Sequence, residues 1–340
     1  MALPTTLWPR ETGGGRQPSP SLEVVMRTHL DLPIVVGVNG SPESDRAVRY
    51  SVHRADRIGC GLLLVNAVHE IVPISPMWPL LTGDSLMDVG RGILADARVL
   101  VEKIAGAKVP VDVHAALGPA VSVLAGASAD ARLVVVGHRP GGALEHLFTG
   151  TTTFGVVARA SCPVVSVTRE WDEHRARRRV VAAVDGSAVS SSVLAHAFAI
   201  ASETSADLDV VHCWKLDSLY AYLVDEMSVQ QEWGARTASV ISAFVDEWTG
   251  RYPDVRVATH MEYADVTRTL VRHSKDADVL VVGRHGHGGI EGRLALSAPG
   301  SIARALVQHA HCPVEFVPLA IPSSAEPPIA DTSRLEASDL

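Results

Sequence analysis

The chain has 340 residues, a formal net charge of −8 and a hydrophobic fraction of 47%. At roughly 150 residues per domain this length predicts about two domains, and the hydrophobic fraction excludes a disordered chain. The negative charge argues against a nucleic-acid partner, and no apolar run reaches the ~18 residues that a membrane helix needs. Four cysteines without a CxxC pair and an N-terminus without a signal-peptide pattern predict a reduced, cytoplasmic protein with no membrane partner.

Both ends of the chain differ in composition from the rest. Residues 1–31 are rich in Gly and Pro without any period, and residues 319–340 are rich in Pro, Ser and acids. Such segments cannot bury enough apolar surface to fold, so we expect both to be disordered. Met26 lies just before the ordered part and offers an alternative translation start to Met1.

Between these ends the sequence repeats itself. A shift of 146 residues places Val38-Asn39-Gly40-Ser41 on Val184-Asp185-Gly186-Ser187. Towards the end of each copy the shift becomes 150, so that Cys162-Pro163-Val164 falls on Cys312-Pro313-Val314. Two copies of a long period predict duplicated domains rather than a solenoid. We place the domains at 32–169 and 180–318, with a charged, solvated linker at 170–179.

In each copy, Val-rich runs alternate with helical segments. Ile34 to Val38 predicts a strand buried on both faces, and Ser41-Pro42-Glu43 predicts a helix start with a Ser cap, Pro and an acid. Further strands are predicted at 62–65, 111–114, 133–136 and 164–167, and in the second copy near Val180, Leu208, Val255, Val279 and Val314. Strands separated by helices predict an α/β fold with a doubly wound parallel sheet, whose ligands bind where the strand order reverses.

Two segments of each copy are expected to meet at that crevice, one after the first strand and a Gly-rich one after the fourth. Glycines let backbone N–H groups approach an anion, and the start of the next helix adds a hydroxyl and a positive dipole end. The alternative is that these turns are only tight connections. The candidate residues are Val38, Asn39, Gly40, Ser41, Gly137, His138, Arg139, Gly141, Gly142, Gly150, Thr151 and Thr152, and then Val184, Asp185, Gly186, Ser187, Gly283, Arg284, His285, Gly286, His287, Gly288, Gly300 and Ser301.

These segments resemble those of the universal stress protein family in its tandem, actinobacterial form, over about residues 32–318. The family motif is Gly-x2-Gly-x9-Gly-(Ser/Thr) after the fourth strand, with a Val-Asp-Gly-Ser-like segment after the first. The resemblance implies two five-stranded parallel sheets of order 3-2-1-4-5, of the adenine nucleotide alpha hydrolase type, paired through their last strands as an internal pseudo-dimer. It also implies ATP, with or without magnesium, in the crevice, with the backbone of Ala67 and Cys213 beside the adenine.

Each copy departs from this motif at a different place. In the first copy Asn39 replaces the Asp, and Pro140 brings no N–H group to the phosphate loop. The second copy keeps Asp185, Gly283 and Gly286, but four extra residues at 296–299 break the x9 spacing. Because the charged Asp and both loop glycines survive there, we expect the second crevice to be the better ATP site.

The sequence leaves two functions open. The first is an ATP-binding regulatory protein of the stress response, and the second is a tandem scaffold that acts through an unknown protein partner. No P-loop, dinucleotide fingerprint or nucleophile elbow is present, so no enzyme activity beyond slow ATP hydrolysis is predicted. No metal site is predicted either, and Cys162 and Cys312 are expected to be core residues. The stress, the partner and any further homodimerisation are not specified.

Overall fold

The computed structural model describes residues 32–68, 83–138, 151–214, 226–284 and 300–319. Over these ranges the strands are β1 Ile34–Gly37, β2 Leu62–Val68, β3 Val111–Leu117, β4 Leu133–Gly137, β5 Val164–Val167, β6 Arg179–Ala183, β7 Asp207–Trp214, β8 Val257–Tyr263, β9 Val279–Gly283 and β10 Val314–Val317. The segments predicted to be disordered, apart from Leu319, lie outside the described residues, as do residues 139–150 and 285–299.

The helices alternate with the strands as predicted. They are α1 Pro42–Ile58, α2 Gly83–Ala105, α3 Ala120–Ala127, α4 Thr151–Arg159, α5 Ala188–Thr204, α6 Glu226–Arg251, α7 Val266–His273 and α8 Ser301–His309. Short 3₁₀ turns at Ser128–Asp130 and Ser274–Asp276 precede β4 and β9. No helix in the described ranges combines the length and the apolar character that crossing a membrane requires.

All ten strands form one sheet with the order β3-β2-β1-β4-β5-β10-β9-β6-β7-β8. Within each half the strands are parallel and follow the order 3-2-1-4-5, which confirms the predicted fold class. The two five-stranded sheets are joined rather than separate, because β5 and β10 pair antiparallel through their backbones. Since these central strands run in opposite directions, the two predicted crevices lie at opposite edges of the sheet.

Helix α1 shows how the sequence sets the local structure. The Ser41 hydroxyl accepts a hydrogen bond from the Ser44 N–H at 3.2 Å, and Pro42 occupies the first helical position. The helix ends at Gly59, whose φ of 69° is accessible to glycine without strain. The cap and the end that the sequence predicts are both confirmed.

The core is continuous on one face of the sheet and divided on the other. On the first face a single buried cluster contains Val35 and Val136 of the first half together with Val181 and Phe316 of the second. On the opposite face, one cluster belongs to the first half and a separate one to the second half. The halves therefore share hydrophobic burial on one face only, and α1 and α5 face each other across the divide on the other.

The charged linker contacts the first half through Trp171 and Glu173, while most of its other residues are exposed. The Trp171 ring meets Tyr50 edge-on, with ring centroids 5.5 Å apart. The Glu173 carboxylate bonds to Arg49 and His53, both at 3.0 Å. This contact fixes the exit of the chain from the first half before it enters β6.

Candidate functional site

In each half, the connections from the first strand and from the fourth strand lead to opposite sides of the sheet, so the strand order reverses between these two neighbouring strands. In the first half β1 lies beside β4, and in the second half β6 lies beside β9, where Ala183 pairs with Val282. The segment after β6 and the segment after β9 therefore start from the same edge of the sheet. This is the point at which open α/β sheets bind ligands, and both predicted segments begin there.

In the second half Asp185 is held by a compact set of donors. Its Oδ1 accepts hydrogen bonds from the Ser187 N–H at 3.0 Å, the Ser187 hydroxyl at 2.6 Å and the Ser190 hydroxyl at 3.1 Å. Gly186 has a φ of 80°, which lets the chain turn sharply beside the carboxylate. Asp185 and its neighbours are half-buried, so the carboxylate is fixed in orientation and remains in reach of a ligand.

Ser190 was not among the predicted site residues, although it orients the loop. Its buried hydroxyl also accepts hydrogen bonds from the N–H groups of Asp185 at 3.2 Å and Gly186 at 3.0 Å. The repeat carries a signal for it, since the same shift that aligns the two loops places Ser44 on Ser190. A hydroxyl at the same place in both copies is a reason to include it.

Strand β7 extends past the end of β6 and leaves a gap that Cys213 faces. The last backbone hydrogen bond between the two segments runs from the Val184 N–H to the Val211 carbonyl at 3.0 Å, and beyond it the His212 Nδ1 bonds the Val184 carbonyl at 2.8 Å. In a parallel ladder alternate residues direct both backbone groups to the same neighbour, so those of Cys213 are directed to the side where β6 has ended. In the first half Val38 bonds to Val65 in the same way, and Ala67 takes the corresponding place.

The start of α8 supplies donors on the other side of the second crevice. Gly300 is its N-cap and makes no side-chain capping bond, so the first N–H groups of the helix receive no side-chain acceptor there. A Cβ built on Gly300 would meet no atom of the described residues within 4 Å, and both Gly300 and Ser301 are exposed. A helix start of this kind attracts anions.

Arg284 does not serve the crevice with its side chain. Its Nη1 donates to the carbonyls of Val157 at 3.1 Å and Ala160 at 2.7 Å, and a longer contact reaches Ala158. These carbonyls belong to the C-terminal end of α4 in the first half, so Arg284 caps a helix across the junction. Burial lowers the pKa of the guanidinium. Gly283 lies just before it, as the last residue of β9.

The corresponding loop of the first half uses its hydroxyls differently. Within the described residues, the Asn39 side-chain oxygen accepts one hydrogen bond, from the Ser41 N–H at 3.1 Å. The Ser41 hydroxyl caps α1, and the Ser44 hydroxyl donates to the Ser41 carbonyl at 2.8 Å. Asn39 and Gly40 are exposed. These groups complete a turn and a helix start, as the tight-connection alternative expects.

Gly137 at the end of β4 is required by packing. A Cβ at this position would lie 2.1 Å from the Glu43 carbonyl oxygen in the first turn of α1. His138 follows and is buried, and this burial lowers the pKa of its imidazole although Glu43 acts in the opposite direction. The glycine therefore has a structural reason that needs no phosphate.

Part of the predicted site cannot be placed. Arg139, Pro140, Gly141, Gly142, Gly150, His285, Gly286, His287 and Gly288 lie outside the described residues, as does the insertion at 296–299. Thr151 begins α4, and Thr152 beside it is exposed. The described residues thus include the strand ends and helix starts on which the predicted site is built, and most of its two Gly-rich segments lies outside them.

The four cysteines are free thiols, and three of them are buried. Cys162 and Cys312 are buried, as predicted, and burial raises the pKa of the Cys162 thiol to about 12 and that of Cys213 to about 11. Within the residues described, no group of three or more His, Cys, Asp or Glu side chains could hold a metal ion. His311 instead bonds Glu170 at 2.7 Å, which ties the second half to the linker.

The chain is similar to known proteins along most of its length. The family model described as the universal stress protein family matches residues 32–168 and again residues 176–318. A universal stress protein of Mycolicibacterium smegmatis is 31% identical over 303 residues, which cover 86% of this chain and 99% of the relative. Another, from Mycobacterium tuberculosis strain H37Rv, is 33% identical over 290 residues, which cover 83% of this chain and 95% of the relative.

A solved structure supports the fold independently. The crystal structure of a universal stress protein from Archaeoglobus fulgidus superimposes with a TM-score of 0.63 and covers 86% of this chain and 98% of that chain. At 16% identity this similarity concerns the fold alone. Function must therefore be argued from the crevice itself.

Proposed function

The chain belongs to the universal stress protein family, and from this premise we propose that it binds ATP in the crevice of its second half and acts as a nucleotide-dependent regulatory protein of the stress response. The observation that carries the proposal is the Asp185 carboxylate, held by Ser187 and Ser190 at the carboxyl end of β6. A fixed, half-buried carboxylate at a switch point is an acceptor for ribose hydroxyls.

Other described residues around the second crevice match the adenine ring and the phosphates of ATP. The backbone of Cys213, directed past the end of β6, offers a donor and an acceptor to the edge of an adenine ring. The N-terminus of α8 at Gly300 and Ser301 offers N–H groups and a hydroxyl to phosphates. Bound ATP would supply a triphosphate whose occupancy changes the charge and order of this crevice. The protein's part is to orient Asp185 and present the helix start.

The first crevice fits a nucleotide less well. Asn39 lacks the charge of Asp185, Ser41 and Ser44 are used in the cap of α1, and Glu43 occupies the space beside Gly137. We therefore propose one nucleotide per chain. The four free cysteines agree with a reducing compartment, and a cytoplasmic location is part of the proposal.

The test is the amount of nucleotide bound and its dependence on Asp185. Purified protein is incubated with Mg-ATP and desalted, and the nucleotide released on denaturation is identified and quantified by mass spectrometry. We expect about one ATP per chain from the count of suitable crevices. Affinity is then measured by calorimetry for the wild type and for Asp185→Asn, which gives the second loop the residue of the first.

Loss of a charge-assisted hydrogen bond predicts that Asp185→Asn weakens ATP binding about ten- to hundredfold. Asp254→Asn is the matched control, because it makes the same chemical change on the exposed segment before β8. Unchanged affinity in Asp185→Asn would place the ligand elsewhere. A wild type that binds no ATP would favour the scaffold that acts through protein partners.

A further inference from the structure

A cavity of about 200 Å³ lies between α1 and α5, over the central strand pair β5 and β10. It occupies the face of the sheet on which the cores of the two halves are separate. The first half contributes Arg54, Ile58, Arg132, Leu133 and Pro163, and the second half contributes Ala195, His196, Ala199, Glu203 and Glu315. None of these residues belongs to the segments of either nucleotide crevice.

Glu315 is the group that most needs an explanation. It lies in β10 with 1% of its surface exposed and pairs with Val165 of β5, the residue that the repeat places at the same position. A buried carboxylate in place of a valine carries a desolvation cost, which hydrogen-bond or ion-pair partners must offset. Its Oε1 bonds the His196 Nδ1 at 3.0 Å, whereas its buried Oε2 has no hydrogen-bond partner within the described structure.

The cations of the cavity are also incompletely paired. Arg54 has a side chain only 12% exposed, and its buried Nε has no hydrogen-bond partner in the same described ranges. Its Nη2 lies 3.5 Å from the Glu203 carboxylate, and Arg132 lies 3.9 Å from the same carboxylate. Both distances are longer than a good charge-assisted hydrogen bond of about 2.8 Å. Two residues that line the cavity thus hold a buried donor and a buried acceptor that no described side chain satisfies.

The positive and the negative side chains of the cavity come from different halves of the chain. Both guanidinium groups come from the first half, and both carboxylates come from the second half, so the cavity has a positive wall and a negative wall. A ligand with one charge would be attracted by one wall and repelled by the other. A ligand with a cation and an anion a few bonds apart complements both walls and bridges the halves.

We propose that this cavity binds a small free amino acid, whose ammonium group bonds Glu315 and whose carboxylate bonds Arg54 and Arg132. The volume supports this size class, because about 200 Å³ corresponds to roughly seven water molecules at ~30 Å³ each. That space is sufficient for a molecule of the size of alanine or valine. Since the ligand touches both halves, its binding stabilises their docking on this face.

Calorimetric titration of the full chain with glycine, L-alanine and L-valine tests the proposal, with acetate and methylammonium as probes that carry one charge each. We expect saturable binding of at least one amino acid and binding of acetate and methylammonium at least about tenfold weaker. Absence of saturable heat with all three amino acids would overturn the proposal. Equal binding of a singly charged probe would overturn the requirement for two charges.

Two variants connect the binding to the cavity. Glu315→Val installs the residue of the first copy, and Arg132→Gln removes a cation from a partly exposed position. We expect each to weaken amino-acid binding about tenfold or more while the far-ultraviolet circular dichroism stays native. Arg98→Gln, at an exposed position of α2, is the matched control and should bind the amino acid as tightly as the wild type does. Wild-type affinity in a folded Glu315→Val protein would exclude this site, and none of these outcomes depends on whether ATP binds.

Discussion

The two halves place the same residue types around their first loops and use them differently. In the first half, the Ser41 hydroxyl accepts from the Ser44 N–H and caps a helix. In the second half, the Ser187 hydroxyl donates to Asp185 and makes no capping bond. The difference follows from the residue two positions earlier, because a carboxylate attracts hydroxyl donors more strongly than the neutral amide oxygen of Asn39 does.

This comparison shows how a duplicated fold can specialise. The hydrogen bonds of the Asn39 loop stabilise the start of α1, whereas those of the Asp185 loop hold the Asp185 carboxylate in one orientation. A residue that binds a ligand must be fixed before the ligand arrives, so the second arrangement suits binding and the first suits folding. If this distinction is correct, matched substitutions in the two halves should differ in their effects.

The largest effect is expected at Gly137. Gly137→Ala places a Cβ 2.1 Å from the Glu43 carbonyl oxygen, which belongs to backbone and cannot rotate away. We expect the free energy of unfolding in urea to fall by about 3 kcal/mol. Gly300→Ala is the contrast, since its Cβ would meet no atom of the described residues, and the weaker N-cap should cost about 1 kcal/mol or less. Equal costs would contradict the view that packing requires a glycine at position 137.

The second effect compares the paired serines. Ser190→Ala leaves the buried N–H groups of Asp185 and Gly186 without their acceptor, so a loss of about 2 kcal/mol is expected. Ser44→Ala removes a single hydrogen bond to the Ser41 carbonyl and should cost about 1 kcal/mol. Denaturant unfolding of both variants measures the difference. A larger cost for Ser44→Ala would reverse the assignment of roles.

The third effect concerns the contact that joins the halves. Arg284→Met keeps the length of the side chain and removes the donors that cap α4, for which we expect a loss of about 1 kcal/mol. Hydrogen exchange should increase at the C-terminal end of α4 and stay unchanged in α1. Unchanged exchange in α4 would show that the cap contributes nothing to its stability.

The smallest effect is the dependence of stability on pH. Burial raises the pKa of Glu315, but the hydrogen bond and charge of His196 together with Arg54 and Arg132 hold it below the ordinary 4.5. A carboxyl with a depressed folded pKa contributes stability above its unfolded pKa and loses it as the pH falls through the folded pKa. Stability should therefore decrease below about pH 4.5, and the decrease should be smaller in Glu315→Val, which resembles Val165 of the first half. Identical pH profiles for the two proteins would exclude this contribution.

The sequence predicted the strands, the start of α1 and the position of Asp185 because these depend on neighbouring residues. It did not predict the role of Ser190, because this hydroxyl reaches the loop from the first turn of α5 and the contact depends on how the two segments pack. It assigned Arg284 to the crevice from its place beside Gly283, whereas the side chain crosses to α4. It interpreted 170–179 as a solvated linker, although Glu173 is bonded to α1.

By itself, the sequence determined that the protein is a duplication with alternating strands and helices, and that only the second copy carries an Asp at its switch point. These features follow from periodicity and spacing, which are local properties of the chain. Only the tertiary structure decided how the two copies differ in use. The contact of Glu43 with Gly137 depends on the packing of α1 against β4. The cavity beside Glu315 depends on the pairing of β5 with β10. The spacing of residues along the chain does not specify these tertiary contacts, because they join residues from distant parts of the sequence.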